Sequence, residues 1–302
     1  MATGWRCLNA TATARQSQGP ALPHSRIKQA SPKNRPRPPG DKGESANRVL
    51  ILPMGTLYLV RHGQASFGAD DYDVLSPLGH QQSVRLGAYF RHKGIRFDAA
   101  LTGTLSRQRQ TLAGICEGMG VVPESSSAGL SQSKPAPAGG SEAPAVTSMG
   151  AHLLWPGLNE YDSAAVISAI HPHPLVKPDT PELYQHHFRL LKDGLAQWMA
   201  GVVSPRGMPS YNGFVAGVTG ALEHVRTHYK GNVLLVSSGG PIATAVGHVL
   251  ATSPETTIEL NMRIRNSSVT EFAFSPKRHR LVTYNTLPHL DAPEHADWVT
   301  YA

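Results

Sequence analysis

The chain has 302 residues, enough for one or two domains. Its formal charge of +7 lies wholly in residues 1–53, where nine Lys/Arg stand against two acids; the remaining body is balanced, with 19 of each sign. A basic nucleic-acid-binding body is thereby excluded. So are a disulfide framework, since there are only two cysteines, and a membrane span of about eighteen apolar residues.

In chain order, residues 1–53 are rich in Pro, Arg, Ser, Gln and Ala and lack sustained periodicity, so they read as a disordered leader. Three accounts of it stay open: an ordinary tail, an organelle transit segment suggested by few acids and several Arg, Ser and Thr, or a segment absent from a native chain that begins at Met54. Residues 54–302 read as one domain. Thr56–Val60 is the first strand. Ser76 then caps a helix with Pro77 at its first position; Leu86, Tyr89 and Phe90 form its buried face and Gly94 ends it. Phe97–Leu101 is the second strand and Arg107–Gly118 a helix. Cys116 falls with Leu112, Ile115 and Met119 at helical spacing, as a buried core thiol does. Residues 122–150, a Ser/Pro/Ala/Gly tract, read as a disordered insertion. Two amphipathic helices, 181–200 and 210–228, are expected to form a helical cap spanning about 160–220. Asn232–Ser237 is a buried strand, Pro241–Leu250 a helix, Ser253-Pro254 the start of a short helix, and Val269–Phe274 and Arg280–Tyr284 a final pair of strands. This alternation predicts an α/β fold with a sheet covered on both faces.

The chemistry concentrates at the end of the first strand, in Arg61-His62-Gly63. Ligand sites of open α/β sheets lie at such strand ends. A guanidinium offers a planar fork that matches phosphate oxygens. An imidazole beside it stays largely neutral, because the positive neighbour disfavours imidazolium, and a neutral ring nitrogen can attack phosphorus. Gly63 lets the backbone approach an anion.

Strand plus Arg61-His62-Gly63 resembles the opening of the histidine phosphatase superfamily, the phosphoglycerate-mutase-like proteins. Further stretches resemble it in the same order: Leu75-Ser76-Pro77-Leu78-Gly79 with Gln82, Leu105 through Thr111, Leu158-Asn159-Glu160, Val233 through Gly240, and Asn285 through Leu290. The resemblance covers roughly residues 55–291, with gaps. It implies a three-layer α/β/α sandwich with a mostly parallel sheet, and metal-independent hydrolysis of a phosphomonoester. His62 is the implied nucleophile, passing through a phosphohistidine. Arg61 and Arg107 are the implied clamp on the phosphoryl oxygens. Glu160 is the implied acid, then base, with Glu142 and Asp162 as competing carboxylates. Arg109 points to another helix face and reads as surface. Gly63 and Gly239 complete the implied phosphate site.

Ser238 departs from the family, which carries its second histidine at this position. A hydroxyl can still hydrogen-bond a phosphate oxygen, and the backbone N–H groups at Gly239 and Gly240 still face the anion. The lost charge is worth roughly one to two orders of magnitude if it acts as an oxyanion donor does. Ser238→His is expected to fit, with room beside a Gly-rich loop. His248, roughly 15 Å down a helix, does not replace the missing ring; His171, His173 and His289 read as chance or core histidines. Mutase-type members carry a Thr/Ser-x-x-Asn pattern after the first histidine, which Gln64-Ala65-Ser66 lacks. The chain therefore reads as a phosphatase first, a phosphoglycerate-mutase-type isomerase second, and a low-activity phosphate-binding protein third. No cofactor, nucleic acid or membrane partner is implied, the setting reads as cytoplasmic, and neither the small phosphorylated substrate nor the oligomeric state is named.

Overall fold

A computed structural model describes residues 55–66, 73–124, 148–173 and 180–301. The leader 1–53 and most of the polar tract 122–150 fall outside these residues. Strand β1 (Gly55–Arg61) pairs in parallel with β5 (Asn232–Ser237), and β5 pairs in parallel with β2 (Ala99–Thr102). Beyond β2 lie β4 (Ser148–Leu154) and then β3 (Val122–Glu124), both parallel. On the other side of β1, β6 (Val269–Ser275) and β7 (Arg278–Thr286) are antiparallel. The sheet thus runs β3-β4-β2-β5-β1-β6-β7 and is mostly parallel.

Strand alternation assigns the two faces. Leu57 and Leu59 of β1, with Val233 and Leu235 of β5, point into one core, while Val60, Leu234 and Val236 point into the other. The second core is closed by α1 (Pro77–His92) through Leu86 and Phe90, and by α2 (Ser106–Met119) through Leu112, Ile115 and Cys116. Each fully buried Leu or Phe contributes about 1.5–3 kcal/mol. Cys116 is a core thiol, its Sγ 3.8 Å from the Met149 sulfur, and burial pushes its pKa up to about 11. The first core is closed by α4 (Pro181–Met199), α5 (Tyr211–His228), α6 (Gly239–Leu250) and α7 (Pro254–Met262), with α3 (Ser163–Ser168) beside α4. The result is the three-layer α/β/α arrangement.

Two local expectations change. The segment 122–150 begins and ends in strand: β3 occupies 122–124 and β4 starts at 148, so only 125–147 is left outside the described residues. The physical reason is pairing, since Ala99–Thr102 offers β4 a complete parallel ladder from Ala151 to Leu154. Helix α5, expected in a cap, belongs to the helical layer itself, because Phe214, Val218, Ala221, Leu222 and Val225 are buried in the same core as Leu57 and Leu235. The expected caps hold. The Ser76 hydroxyl accepts from the Gly79 N–H with Pro77 at the first position, and Gly94 takes a positive φ just past the end of α1.

Candidate active site

The C-terminal ends of β1, β5, β2 and β4 deliver four segments to one place. The pairing of β1 with β5 sets Arg61 opposite Ser237, and the His62 N–H donates to the Ser237 carbonyl at 2.9 Å. The peptide after β4 is held to β2 by the Trp155 N–H on the Thr102 carbonyl, 2.7 Å, which directs the turn bearing Leu158, Asn159 and Glu160 toward β5.

His62 is 4% exposed. Its Nδ1 lies 2.7 Å from the Gly63 carbonyl, which can only accept, so Nδ1 carries the proton and Nε2 the lone pair. Arg107 Nε donates to that Nε2 at 3.3 Å. Burial, then the charges of Arg61 and Arg107, hold the imidazole pKa well below its ordinary range, against a small upward pull from the Gly63 carbonyl. The ring is therefore neutral at physiological pH, in one tautomer.

Arg107 sits in the first turn of α2, 8% exposed, and its Nη1 donates to Asp73 Oδ1 at 2.8 Å. The other Asp73 oxygen accepts from the Ser106 N–H at 2.7 Å. Leu105, at the helix cap, has no side chain able to cap α2, and Asp73 supplies both the cap and the anchor of the arginine. Sequence reading missed Asp73 because it lies 34 residues away in a loop with no motif of its own. Arg61 Nη1 donates to the Ile264 carbonyl at 2.6 Å. Arg109 is exposed, as expected.

The Glu160 carboxylate sits at the N-terminus of α6. The Gly240 N–H lies 3.1 and 3.2 Å from its two oxygens, and the Tyr161 N–H donates to Oε1 at 3.2 Å. A Cβ on Gly240 would fall 2.2 Å from Oε1, so only glycine lets the carboxylate reach the helix end. Burial raises the Glu160 pKa above the usual carboxylate value, while the Gly240 N–H, Arg107 and Arg61 pull in the opposite direction. Of its competitors, Asp162 caps α3 through the Ala164 and Ala165 N–H groups, and Glu142 lies outside the described residues.

Gly63 and Ser238 are held by contacts that the sequence did not show. The Gly63 N–H is held by Thr111 Oγ1 at 3.0 Å, and a Cβ at Gly63 would sit 2.3 Å from the Gly79 carbonyl, so the packing of the loop onto α1 requires glycine there. Ser238 is closed off on the side that faces α2. It is fully buried, its Oγ takes a hydrogen bond of 2.9 Å from Gln108 Nε2, and an imidazole in its place would run into that amide. His289 is buried, with Nε2 2.9 Å from Ser267 Oγ, and the Ser267 N–H donates to the His62 carbonyl; it braces the His62 loop from behind. Of the other histidines, His248 is exposed on α6, and the His171 ring lies near those of His173 and His186. Among the described residues no group of three or more His, Cys, Asp or Glu is placed to hold a metal ion.

This geometry can be set beside known proteins. Solved structures share the fold: YhfR from Bacillus stearothermophilus, 15% identical, covers 78% of this chain and 98% of its own with a TM-score of 0.51. A mycobacterial hydrolase, 18% identical, covers 77% and 91% with a TM-score of 0.50. In sequence, a 2,3-bisphosphoglycerate-dependent phosphoglycerate mutase from Chelativorans sp. is 37% identical over 73 residues, 22% of this chain and 35% of that protein. A broad-specificity phosphatase of Saccharomyces cerevisiae, YOR283W, is 38% identical over 64 residues, 19% of this chain and 27% of that protein. The chain thus matches about a third of the length of these curated relatives. The sequence profile of the histidine phosphatase superfamily, branch 1, matches residues 57–131 and 180–287, more than half the chain and both sides of the site. With His62 and Arg107 in the first matched stretch and Ser238 in the second, the chain belongs to the histidine phosphatase superfamily.

Proposed function

We propose that this protein hydrolyses phosphomonoesters through a phosphohistidine on His62. The observation that carries the reading is the His62 ring itself: neutral, fixed as the Nδ1–H tautomer by the Gly63 carbonyl, with Nε2 facing the Arg107 guanidinium. In the first step the phosphoryl group draws the Arg107 N–H off Nε2 onto its own oxygens, and the freed Nε2 lone pair attacks phosphorus. The P–O ester bond breaks, and the leaving oxygen takes the proton of the Glu160 carboxyl, whose raised pKa suits an acid. Arg107 and Arg61 stabilise the charge on the equatorial oxygens. In the second step Glu160, now a carboxylate, takes a proton from water. That water attacks phosphorus, the Nε2–P bond breaks, and phosphate leaves with the ring neutral again.

The reaction is proposed to need no metal, since general acid chemistry and two guanidiniums cover the charge that develops. The proposed substrate is a small phosphorylated molecule. The proposed setting is the cytoplasm, in keeping with a two-cysteine chain whose Cys116 is a free buried thiol. Similarity to phosphoglycerate mutases supports a second reading, a phosphoglycerate-mutase-type isomerase.

The test is a screen of the purified full chain against phosphorylated metabolites in chelator, with acid-base stability of any phosphoenzyme recorded. Wild type should form an acid-labile, base-stable phosphoenzyme that His62→Ala lacks while keeping its melting temperature. Undiminished turnover in His62→Ala overturns the mechanism. Interconversion of phosphoglycerates that depends on added bisphosphoglycerate establishes the isomerase instead. Phosphate binding with no turnover of any substrate establishes the binding protein.

A further inference from the structure

The histidine that the family carries at position 238 is replaced by a serine whose hydroxyl does not cap its own helix. Its Oγ instead accepts from Gln108 Nε2 at 2.9 Å, and the same nitrogen donates to the Leu158 carbonyl at 2.9 Å. That second bond fixes the chemistry of the first. A carbonyl can only accept, so the Gln108 atom between Leu158 and Ser238 is the NH2 group, and the amide cannot be turned round. Ser238 Oγ is therefore an acceptor toward Gln108, and its own proton has to point elsewhere. That proton makes no hydrogen bond among the described residues, although Ser238 is fully buried. Ser238 directly follows Ser237, whose carbonyl holds the His62 N–H at 2.9 Å, so the residue stands at the strand end next to the His62 backbone. A buried donor with no partner in the unliganded site costs free energy unless a ligand satisfies it.

We propose that Gln108 is a positioning residue that turns the Ser238 hydroxyl into a fixed donor for a phosphoryl oxygen, so that the two side chains together occupy the role of one histidine. The inference rests on the phosphoryl-transfer reading above. Gln108 suits the task by its place. It is fully buried, it follows Arg107 on α2, and through the Leu158 carbonyl it is tied to the turn that carries Glu160. The Ser237 hydroxyl donates to the same carbonyl at 2.6 Å, so Leu158 is clamped from both α2 and β5. One glutamine thus sets the relative position of three parts of the site. The pair also excludes a histidine, because an imidazole at 238 needs the volume that the Gln108 amide fills.

The test is a double-mutant cycle in the full chain with Ser238→Ala, Gln108→Ala and the double variant. It is read as the single-turnover rate of phosphoenzyme formation from para-nitrophenyl phosphate and as the calorimetric affinity for inorganic phosphate and vanadate. Each single change should slow phosphoenzyme formation about tenfold or more, the worth of a donor used in the transition state, and the double variant should be no slower than the slower single. Multiplicative losses overturn the proposal. So does a Gln108→Ala variant that only melts earlier, with rate and anion affinity unchanged. A second arm keeps the claim open to refutation if alanine at 108 is poorly tolerated: Ser238→His alone should lower the melting temperature and the rate. Ser238→His combined with Gln108→Ala should exceed Gln108→Ala, with a gain that shrinks as pH rises and the new imidazole loses its proton. A faster Ser238→His single variant refutes the pairing. If wild type forms no phosphoenzyme, the phosphatase reading fails by itself, and the phosphate and vanadate cycle still decides whether Gln108 and Ser238 act as one donor.

Discussion

On the α2 side of His62 the site is ionic: Arg107 lies between the ring and Asp73, with contacts of 3.3 and 2.8 Å. On the α6 side the donor is neutral, Ser238 Oγ, and the charged group is a carboxyl, Glu160, which takes up the Gly240 N–H at the helix N-terminus. Both sides face the same phosphoryl group in the proposed mechanism, yet they are sensitive to different things. A guanidinium attracts an anion at any accessible pH and tolerates some displacement. A helix N-terminus and a hydroxyl act only in the right geometry, and Glu160 acts only in the right protonation state. Binding should therefore be governed by the ionic side, and the rate and its pH dependence by the neutral side.

The largest effect is expected at Glu160. Glu160→Gln removes both the acid and the base and should slow each chemical step by roughly 10²–10⁴-fold. The sign of the pH dependence follows from the two shifts. His62, with its pKa lowered, stays neutral over the working range; Glu160, with its pKa raised, keeps its proton to higher pH than an ordinary carboxyl. Phosphoenzyme formation in wild type should hence fall as pH rises through the Glu160 pKa. In Glu160→Gln it should be flat over the same range, as stopped-flow quench across pH would show. A pH dependence that survives the substitution assigns the acid to another group.

Next in size is Gly240→Ala. The added methyl would sit 2.2 Å from Glu160 Oε1 and 2.6 Å from the Tyr161 ring, so the carboxylate has to leave the helix end. The rate should drop roughly tenfold or more, with phosphate affinity nearly unchanged. Equal losses in rate and in calorimetric affinity would mean that the α6 side binds the anion as strongly as the ionic side.

The smallest effect is expected at Asp73. Asp73→Asn keeps a hydrogen-bonding side chain but removes a negative charge beside Arg107, so the site becomes more positive while the guanidinium is held less firmly. Phosphate should bind as well as in wild type or more tightly, and phosphoenzyme formation should slow by a few-fold. Weaker phosphate binding would show that Asp73 preorganises Arg107 for binding as well as for chemistry.

Local signals made much of this molecule readable in advance. Leu57 through Val60 alternate into two cores, Ser76 and Pro77 start α1, and the apolar run 233–236 can only be a doubly covered strand. Arg61 and His62 are adjacent in the chain, so their juxtaposition at a strand end needs no long-range information. The resemblance then pointed to Arg107, Glu160 and position 238 as partners in one place, and the ends of β1, β5, β2 and β4 do converge there.

Other features were settled only by contacts between distant residues. Ser148–Gly150 closes a polar tract, yet Ser148–Leu154 becomes a strand because β2 offers it a ladder. Gly63 is shaped by Gly79, Arg107 by Asp73, and Ser238 by Gln108, 130 residues earlier. A residue type states which hydrogen bonds and charges a side chain can offer. Whether Ser238 has room for a larger ring, and which way its proton points, depends on an amide held in place by the Leu158 carbonyl, and that arrangement exists only once α2, β5 and the 155–160 turn have packed together.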